Sequence, residues 1–236
     1  MKKFSLKLFI SLFICALLCS SQLAAVSPPA ALTYDANADF GDSNPNGVWS
    51  YGWTAKVGDL PSNLTPYNTY AAFGFGGDKF EGWYDKYNWV LYAPVVYKNY
   101  GNYFDDGNVV IPAGALILHG TGSSPDNVSV VEFTAPSAGR YSLSASFIGR
   151  QYDLGDPGHV YILYNGTTIF EDSTKIKTVG DIVTYSTILN LRAGEKIDFV
   201  VGKNYSIYRD NIELQATIKP VPLPPTAPYL LLLLLD

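Results

Sequence analysis

The chain between Ala31 and Ile218 consists of short segments in which apolar and polar residues alternate, with no window of sustained helical periodicity. Trp49, Tyr51 and Trp53 illustrate the pattern, because alternation places all three on one face of a strand. The dipeptide Asn165-Gly166 separates two such segments and is a strong signal for a two-residue hairpin. Many short strands joined by turns predict an all-β protein, a sandwich or a barrel.

Seven further segments of this kind are predicted to form strands. They are Val128 to Phe133, Tyr141 to Ile148, Val160 to Tyr164, Thr168 to Phe170, Ile182 to Leu191, Ile197 to Val201 and Ile212 to Ile218. Residues 59–106 are different, since they are rich in Tyr, Asn, Gly and Trp and only weakly periodic. We expect strands joined by long loops there, and binding sites are commonly found on such loops.

Composition excludes several other classes of protein. Charged residues make up only 16% of the chain and aromatic residues 14%, which disfavours helical bundles, coiled coils and disordered chains. The net charge of −5 provides no basic surface for nucleic acid.

Residues 1–26 are predicted to be a secretory signal peptide. Three lysines precede an apolar run from Leu8 to Leu18, and small residues follow it. Lipidation of Cys19 is disfavoured, because the bulky Leu18 precedes it. Both cysteines, Cys15 and Cys19, lie inside this segment, so the exported chain is expected to fold without disulfides. The sequence therefore predicts a secreted, extracellular protein whose sandwich domain spans residues 27–218.

Residues 219–236 are predicted to be a Pro-rich linker followed by an apolar tail. The run of prolines after Lys219 is incompatible with a central strand and indicates an extended linker. The apolar segment from Tyr229 to Leu235 would span about 10 Å as a helix, against about 30 Å of hydrocarbon. We therefore predict no transmembrane span.

Several stretches, in order, resemble an exported bacterial β-sandwich domain that often precedes a PEP-CTERM sorting tail. The matching stretches are Asn44 to Gly52, Trp89 to Asn99, Leu118 to Gly120, Val130 to Pro136, Ala138 to Tyr141, Asn165-Gly166, Leu191 to Gly202 and Ile212 to Ile218. The resemblance implies a single antiparallel jelly-roll sandwich similar to carbohydrate-binding modules. The Pro-Leu tail resembles the sorting signal only in part, because its apolar helix is short and its basic end is missing.

Trp83, Tyr84, Asp85, Tyr87 and Trp89 mix aromatic faces with polar groups in the weakly periodic region. Such groups hold sugars by stacking and hydrogen bonding. The alternative is that Trp89 anchors the sandwich and Trp83 covers it. Trp49 and Trp53, on a clear strand, are expected to be core residues. His119 matches a position of the resembled family, either as a ligand contact or as a strand-end histidine bonded to the backbone.

A hydrolase is the alternative function that individual motifs suggest. The segment Phe40 to Ser43 resembles the nucleophile block of GDSL-type hydrolases, and Asp156 with His159 has the spacing of their acid–histidine pair. Those enzymes need an α/β fold, which this chain does not predict. The acids Asp78, Glu81, Asp85, Asp105 and Asp106 show no spacing that selects a glycosidase pair.

No cofactor is required by this sequence, although a structural calcium is conceivable. Asp35 or Asp39 near the first strand and Asp210 or Asn211 near the last could supply oxygen ligands if those strands are neighbours. Carboxylates that cap turns are the favoured interpretation.

Two functions follow from these expectations. The first is a secreted, non-catalytic module that binds a polysaccharide or glycan on or near the cell surface. The second is a structural protein of the cell surface or matrix, whose partners are other surface proteins and whose many tyrosines serve protein contacts.

Overall fold

The computed structural model describes residues 32–73, 79–87, 94–120, 127–152, 157–202 and 211–222. Within these ranges, sixteen strands and one short 3-10 turn at Val57–Asp59 account for the regular structure. The strands are β1 (Tyr34–Asp35), β2 (Trp49–Thr54), β3 (Thr65–Pro66), β4 (Thr69–Phe73), β5 (Phe80–Tyr84), β6 (Val95–Asn99), β7 (Phe104–Asp105), β8 (Val110–Ile111), β9 (Leu116–His119), β10 (Val128–Thr134), β11 (Gly139–Gly149), β12 (Val160–Tyr164), β13 (Thr167–Asp172), β14 (Ile182–Leu191), β15 (Lys196–Gly202) and β16 (Ile212–Pro220).

Two antiparallel sheets contain all but two of these strands. Sheet A has the order β14-β11-β16-β9-β6-β5-β4, with β1 paired to β16. Sheet B has the order β13-β12-β15-β10-β2-β3, and β7 and β8 form a separate hairpin. Several neighbours in the sheets are distant in sequence, for example β10 between β2 and β15. The described chain is therefore an all-β antiparallel sandwich of the jelly-roll kind, as predicted.

One apolar core fills the space between the sheets. Trp49, Phe133 and Phe199 of sheet B are fully buried and belong to the same cluster as Phe147 and Leu214 of sheet A. The rings of Trp49 and Phe133 meet edge to face with centroids 5.3 Å apart. Alternation along the strands supplies these residues, because every second side chain faces the opposite sheet.

Each sheet also has a cover on its outer face. Residues 57–64 cover sheet B, where Leu60 joins a buried cluster that includes Val130 and Leu163. The β7–β8 hairpin covers sheet A, where Phe104 packs edge to face on Phe80 with centroids 5.3 Å apart. All side chains from Val128 to Phe133 are consequently buried, on both faces of β10.

The predicted strands are confirmed, with ends that shift by up to two residues. Trp49 and Tyr51 are buried in the core, and Trp53 packs against it, so these three aromatic residues face inward together. Eight shorter strands, β1 and β3 to β9, were not predicted individually. All eight have two to five residues, and β5 and β6, with five residues each, show no strict alternation of buried and less buried positions.

The last strand runs beyond the predicted end of the sandwich at Ile218. Pro220 lies opposite Tyr141, and the Val221 amide donates to the Arg140 carbonyl at 2.8 Å. Because Val221 and Arg140 form a hydrogen-bonded pair, the adjacent pair of Pro220 and Tyr141 is a non-hydrogen-bonded pair of the antiparallel ladder. On its other side, β16 pairs with β1 only as far as Ile218. A proline fits there because no described neighbour needs its missing amide proton.

The segment predicted as signal peptide, residues 1–26, lies outside the described residues, and so does the predicted tail except for residues 219–222. Within the described ranges, no helix is long and apolar enough to cross a membrane.

The predicted hairpin is present between β12 and β13. Asn165 and Gly166 have φ values of 47° and 80°, in the left-handed region that a two-residue turn with a right-handed twist requires. A Cβ atom at Gly166 would also collide with the Leu60 carbonyl oxygen, since the hairpin packs on the cover of sheet B.

We expect Gly166→Ala to lower the free energy of unfolding by about 2 kcal/mol, through the left-handed backbone and the contact with Leu60. Gly58→Ala is the matched control, because a Cβ there meets nothing within 4 Å. Urea denaturation of both variants checks this difference. Equal midpoints for the two would contradict it.

Candidate functional site

Asp85, predicted to contact a ligand, is a buried hydrogen-bond acceptor for its own neighbours. Its carboxylate accepts from Trp53 Nε1 at 3.2 Å, from Asn68 Nδ2 at 2.8 Å and from the Tyr87 amide at 3.0 Å. These bonds tie β2, the start of β4 and the turn after β5 together. The carboxylate therefore acts as an internal hydrogen-bond acceptor that connects these three segments.

Trp83 is also directed into the protein. Its side chain is buried, its indole Nε1 donates to the Gly41 carbonyl at 2.8 Å, and its ring packs against Tyr70 with centroids 5.2 Å apart. Tyr84 points to the other face of sheet A, where it is half-buried against the cluster under the β7–β8 hairpin. Neither ring presents an open face of the kind that stacks on a sugar.

The remaining predicted contacts are separated from one another. Tyr87 is 79% exposed, and Lys86 Nζ lies 4.9 Å from its ring centroid. His119 is buried at the end of β9 and donates from Nδ1 to the Gly120 carbonyl at 2.8 Å. Trp89 lies outside the described residues. Among the described members of the predicted set, Tyr87 is thus the one that offers an aromatic face to solvent.

A different pair of tyrosines lies beside an exposed carboxylate on the hairpin that covers sheet A. Tyr103 is 62% exposed and Tyr152 47% exposed, and we call these two residues the tyrosine pair. Both hydroxyls donate to the same oxygen of Asp105, Tyr152 at 3.1 Å and Tyr103 at 3.4 Å. Two accessible rings and one exposed acceptor therefore meet within a few ångströms.

The hairpin that carries Asp105 is held firmly by local hydrogen bonds. Asp105 Oδ1 accepts from the Gly107 amide at 2.9 Å, and Asp106 Oδ1 accepts from the amides of Asn108 and Val109, both at 2.8 Å. The Tyr152 amide donates to the Asn108 carbonyl at 2.9 Å, which brings the second tyrosine alongside.

The buried Asn99 holds together the two ends of the segment that carries Tyr103 and the β7–β8 hairpin. Its Nδ2 donates to the carbonyls of Asn102, Ile111 and Pro112 at 2.6, 3.0 and 3.2 Å, and its Oδ1 accepts from the Gly101 amide at 2.8 Å. One side chain thereby joins both ends of the segment that carries Tyr103. The tyrosine pair is thus presented by an ordered platform.

Electrostatics keep the Tyr152 hydroxyl a hydrogen-bond donor. The hydrogen bond to Asp105 raises the pKa of Tyr152, because ionising the phenol would place two negative charges in contact. Asp105 keeps acceptor capacity after these bonds, since a carboxylate has about four lone-pair sites. The arrangement can stack two rings on an apolar face and accept from a ligand hydroxyl, which is the chemistry of sugar recognition.

The sequence indicated part of this platform. Tyr103 and Asp105 lie inside the weakly periodic region, and Asp105 was among the loop acids considered. Tyr152 was missed, because it lies 47 residues further along the chain from Asp105 and joins it only through folding. No pattern in the sequence indicated the role of Asn99 in holding this segment.

The described residues do not assemble the hydrolase site that two motifs suggested. Ser43 precedes Asn44, whose side chain bonds to the backbone of Tyr51 on β2, while His159 precedes β12. Sheet B separates β12 from β2 by three strand spacings, about 14 Å. His159 instead approaches the Tyr161 hydroxyl at 3.1 Å. Asp156 lies outside the described residues.

The carboxylates considered for calcium are likewise separated or occupied. β1 and β16 are neighbours, as the sequence suggested, but Asp35 pairs with Thr217, six residues or about 20 Å from Asn211. Asp39 Oδ2 accepts from the Asp35 amide at 3.0 Å and from Trp49 Nε1 at 3.1 Å. In the described ranges, no three metal-ligating side chains of His, Cys, Asp or Glu are gathered together. Asp210 lies outside those ranges.

A pair of buried acids on sheet B is not exposed to a ligand in solvent. Glu132 and Asp198 lie directly opposite each other on β10 and β15, and both are buried. Lys196 Nζ donates to Glu132 Oε1 at 2.6 Å, and the Asp198 carboxyl lies beside Glu132 on the neighbouring strand. Burial, followed by the neighbouring Glu132 carboxylate, raises the pKa of Asp198 to about 8.

Comparisons with known proteins add little to this description. No protein-family model matches the chain, and no curated protein matches it. Solved structures that are similar in part include a family 35 carbohydrate-binding module from Clostridium thermocellum, at 11% identity over 80% of this chain and 97% of that one, with a TM-score of 0.30. CBM35 from Paenibacillus barcinonensis has 9% identity, 81% and 99% coverage and a TM-score of 0.28.

Rabbit GITRL is similar at 13% identity over 46% of this chain and 79% of that one, with a TM-score of 0.30. Scores of this size do not carry a ligand or an activity from those proteins to this one. The sandwich assignment rests on the sheet topology itself.

We expect the free energy of unfolding to fall as the pH rises from about 4 to about 8, by on the order of 1.4 kcal/mol per unit at its steepest. The folded chain retains the proton on Asp198 until the pH approaches 8, whereas the unfolded chain releases it near pH 4. Urea denaturation as a function of pH measures the slope. In Asp198→Asn the slope should be shallower, and an unchanged slope would contradict a protonated Asp198.

Proposed function

We propose that this chain is a secreted, non-catalytic module that binds carbohydrate on or near the cell surface. The proposal includes export by residues 1–26, a sandwich from residue 27, and a tail at 219–236 similar in part to a PEP-CTERM sorting signal. The observation that carries it is the tyrosine pair, whose two exposed rings flank one accessible carboxylate on an ordered hairpin.

The chemistry of this platform favours a neutral polysaccharide. Ring faces attract the C–H groups of a sugar, and Asp105 accepts hydrogen bonds from its hydroxyls. An anionic polysaccharide would place its own carboxylates near Asp105 and Asp106, which repel them. The net charge of −5 acts in the same direction.

The predicted contacts around residues 83–89 enter this proposal in a reduced role. Tyr87 can provide a further stacking face, because its ring is exposed in the turn after β5. Trp83, Asp85 and His119 support the fold around it through the contacts described above. Trp89 remains a predicted contact.

We expect Tyr103→Ala and Tyr152→Ala each to weaken binding of a neutral soluble polysaccharide by roughly tenfold, through loss of one stacking ring. Affinity electrophoresis in gels that contain galactomannan, xyloglucan or dextran measures the retardation. Tyr103→Phe is the matched variant, because it keeps the ring and removes only the hydroxyl, so it should retain most of the affinity.

Two results would overturn this proposal. One is an absence of retardation by any of these polysaccharides. The other is a Tyr103→Ala/Tyr152→Ala protein that is retarded as strongly as the parent. If Tyr87→Ala abolished retardation while Tyr103→Ala and Tyr152→Ala did not, the binding site would lie in the region predicted from the sequence, and the tyrosine pair would be excluded.

A further inference from the structure

Strand β14 forms one end of sheet A and is unusually well suited to pair with another strand. Among the described strands, β11 is its one neighbour in the sheet. Its ten residues, Ile182–Leu191, include no charged residue, no proline and no glycine. Natural edge strands are commonly protected by such residues, so this edge lacks the usual protection.

The backbone groups on the free edge can be assigned from the ladder. The Gly149 amide donates to the Asp181 carbonyl at 2.8 Å, and the Arg150 amide donates to Asn211 on the other side of β11. Odd-numbered residues of β11 therefore bond to odd-numbered residues of β14. The amides and carbonyls of the even-numbered residues of β14 point away from the sheet, toward solvent.

Two large apolar side chains lie on the same stretch. Ile182 is 52% exposed and Ile188 53% exposed, both on the outer face of the sheet. They are placed symmetrically, three residues before and three residues after Tyr185. If a second β14 strand paired antiparallel with the first about Tyr185, Ile182 of each strand would therefore lie beside Ile188 of the other.

We propose that β14 pairs antiparallel with β14 of a second copy of this chain, about a two-fold axis at Tyr185. Ile182 then lies opposite Ile188 of the partner subunit, and Thr184 opposite Ser186 of the partner subunit. All four positions expose amides and carbonyls to the edge, so the pairing forms about eight backbone hydrogen bonds. The interface is isologous, as expected for a two-fold dimer.

The contacts of Asn190 select this register over its neighbours. The Tyr164 hydroxyl donates to the Asn190 carbonyl at 3.3 Å, so that outward-facing group already has a partner. Pairing centred on Ser186 or Thr187 would need the Asn190 carbonyl for the second strand. Pairing centred on Tyr185 uses only positions 182, 184, 186 and 188.

A second copy fits this edge better than a charged partner would. The strand contributes no charge that a copy of itself would repel, and its two isoleucines complement each other. One strand edge forms a small interface, so we expect a dissociation constant in about the micromolar range. The dimer edge is independent of the tyrosine pair and of the proposed carbohydrate ligand.

Disulfide cross-linking tests the register directly. In a Cys15→Ser/Cys19→Ser background, Ile182→Cys/Ile188→Cys places cysteines opposite each other at a Cα separation of about 5.5 Å, which suits a disulfide. We expect an oxidised dimer on non-reducing gels. Ile182→Cys alone is the matched control, since its partner cysteine would lie about 20 Å away.

Light scattering during gel filtration tests the association itself. We expect a concentration-dependent dimer from about 1 to 100 µM that Ile188→Lys shifts to monomer, because it places unpaired charges in the seam. Gln215→Lys carries the same charge on the same face two strands away and should still dimerise. Thermal melting confirms that both variants are folded.

The proposal is overturned if the parent protein is monomeric at about 100 µM, or if Ile188→Lys dimerises as the parent does. It is also overturned if Ile182→Cys alone cross-links as efficiently as the double variant. Failure of polysaccharide binding would leave these results unchanged, so the two proposals are tested separately.

Discussion

The rest of this structure depends on one constraint, the packing of two sheets around a single apolar core. The sequence carries no cysteine beyond its first nineteen residues, so no disulfide links the strands and burial has to stabilise the sandwich. Trp49, Phe133, Phe147 and Phe199 provide it at the centre of the sandwich. The end of β5 and the turn after it serve the same purpose, since Trp83 and Asp85 direct their polar groups to partners within the protein.

The outer faces of the sheets divide the molecule into structural and accessible regions. On sheet B, Glu132 and Asp198 are buried opposite each other, which removes this pair of acids from contact with a ligand. The β7–β8 hairpin buries Phe104 on one side and presents Tyr103 and Asp105 on the other. With an apolar anchor on one side and an exposed ring and carboxylate on the other, this hairpin provides the support that the proposed ligand site requires. The uncovered end of sheet A leaves β14 open instead.

The longer strands could be predicted because alternation over five or more residues identifies them without tertiary information. The hairpin at Asn165-Gly166 was predictable for a similar reason, since its backbone conformation restricts residue choice locally. Strands such as β1, β3 and β7 have only two residues, and their existence depends on a partner elsewhere in the chain. Pro220 extends β16 because of where its neighbours end, which no local pattern records.

The candidate site was harder to predict than the fold. The mixture of aromatic and polar residues at 83–87 is the same whether those groups face a ligand or one another. Only the structure shows that the Asp85 carboxylate is used by Trp53 and Asn68. Tyr152 belongs to the platform through a contact with Asp105 that long-range packing creates.

The central claim is that carbohydrate contacts the tyrosine pair. A titration of the tyrosine-ring NMR signals with a neutral oligosaccharide tests it most directly. We predict shifts for the rings of Tyr103 and Tyr152, with the indole signal of the buried Trp83 unchanged. Shifts centred on Trp83, or tyrosine-ring signals that stay constant at millimolar sugar, would contradict the account.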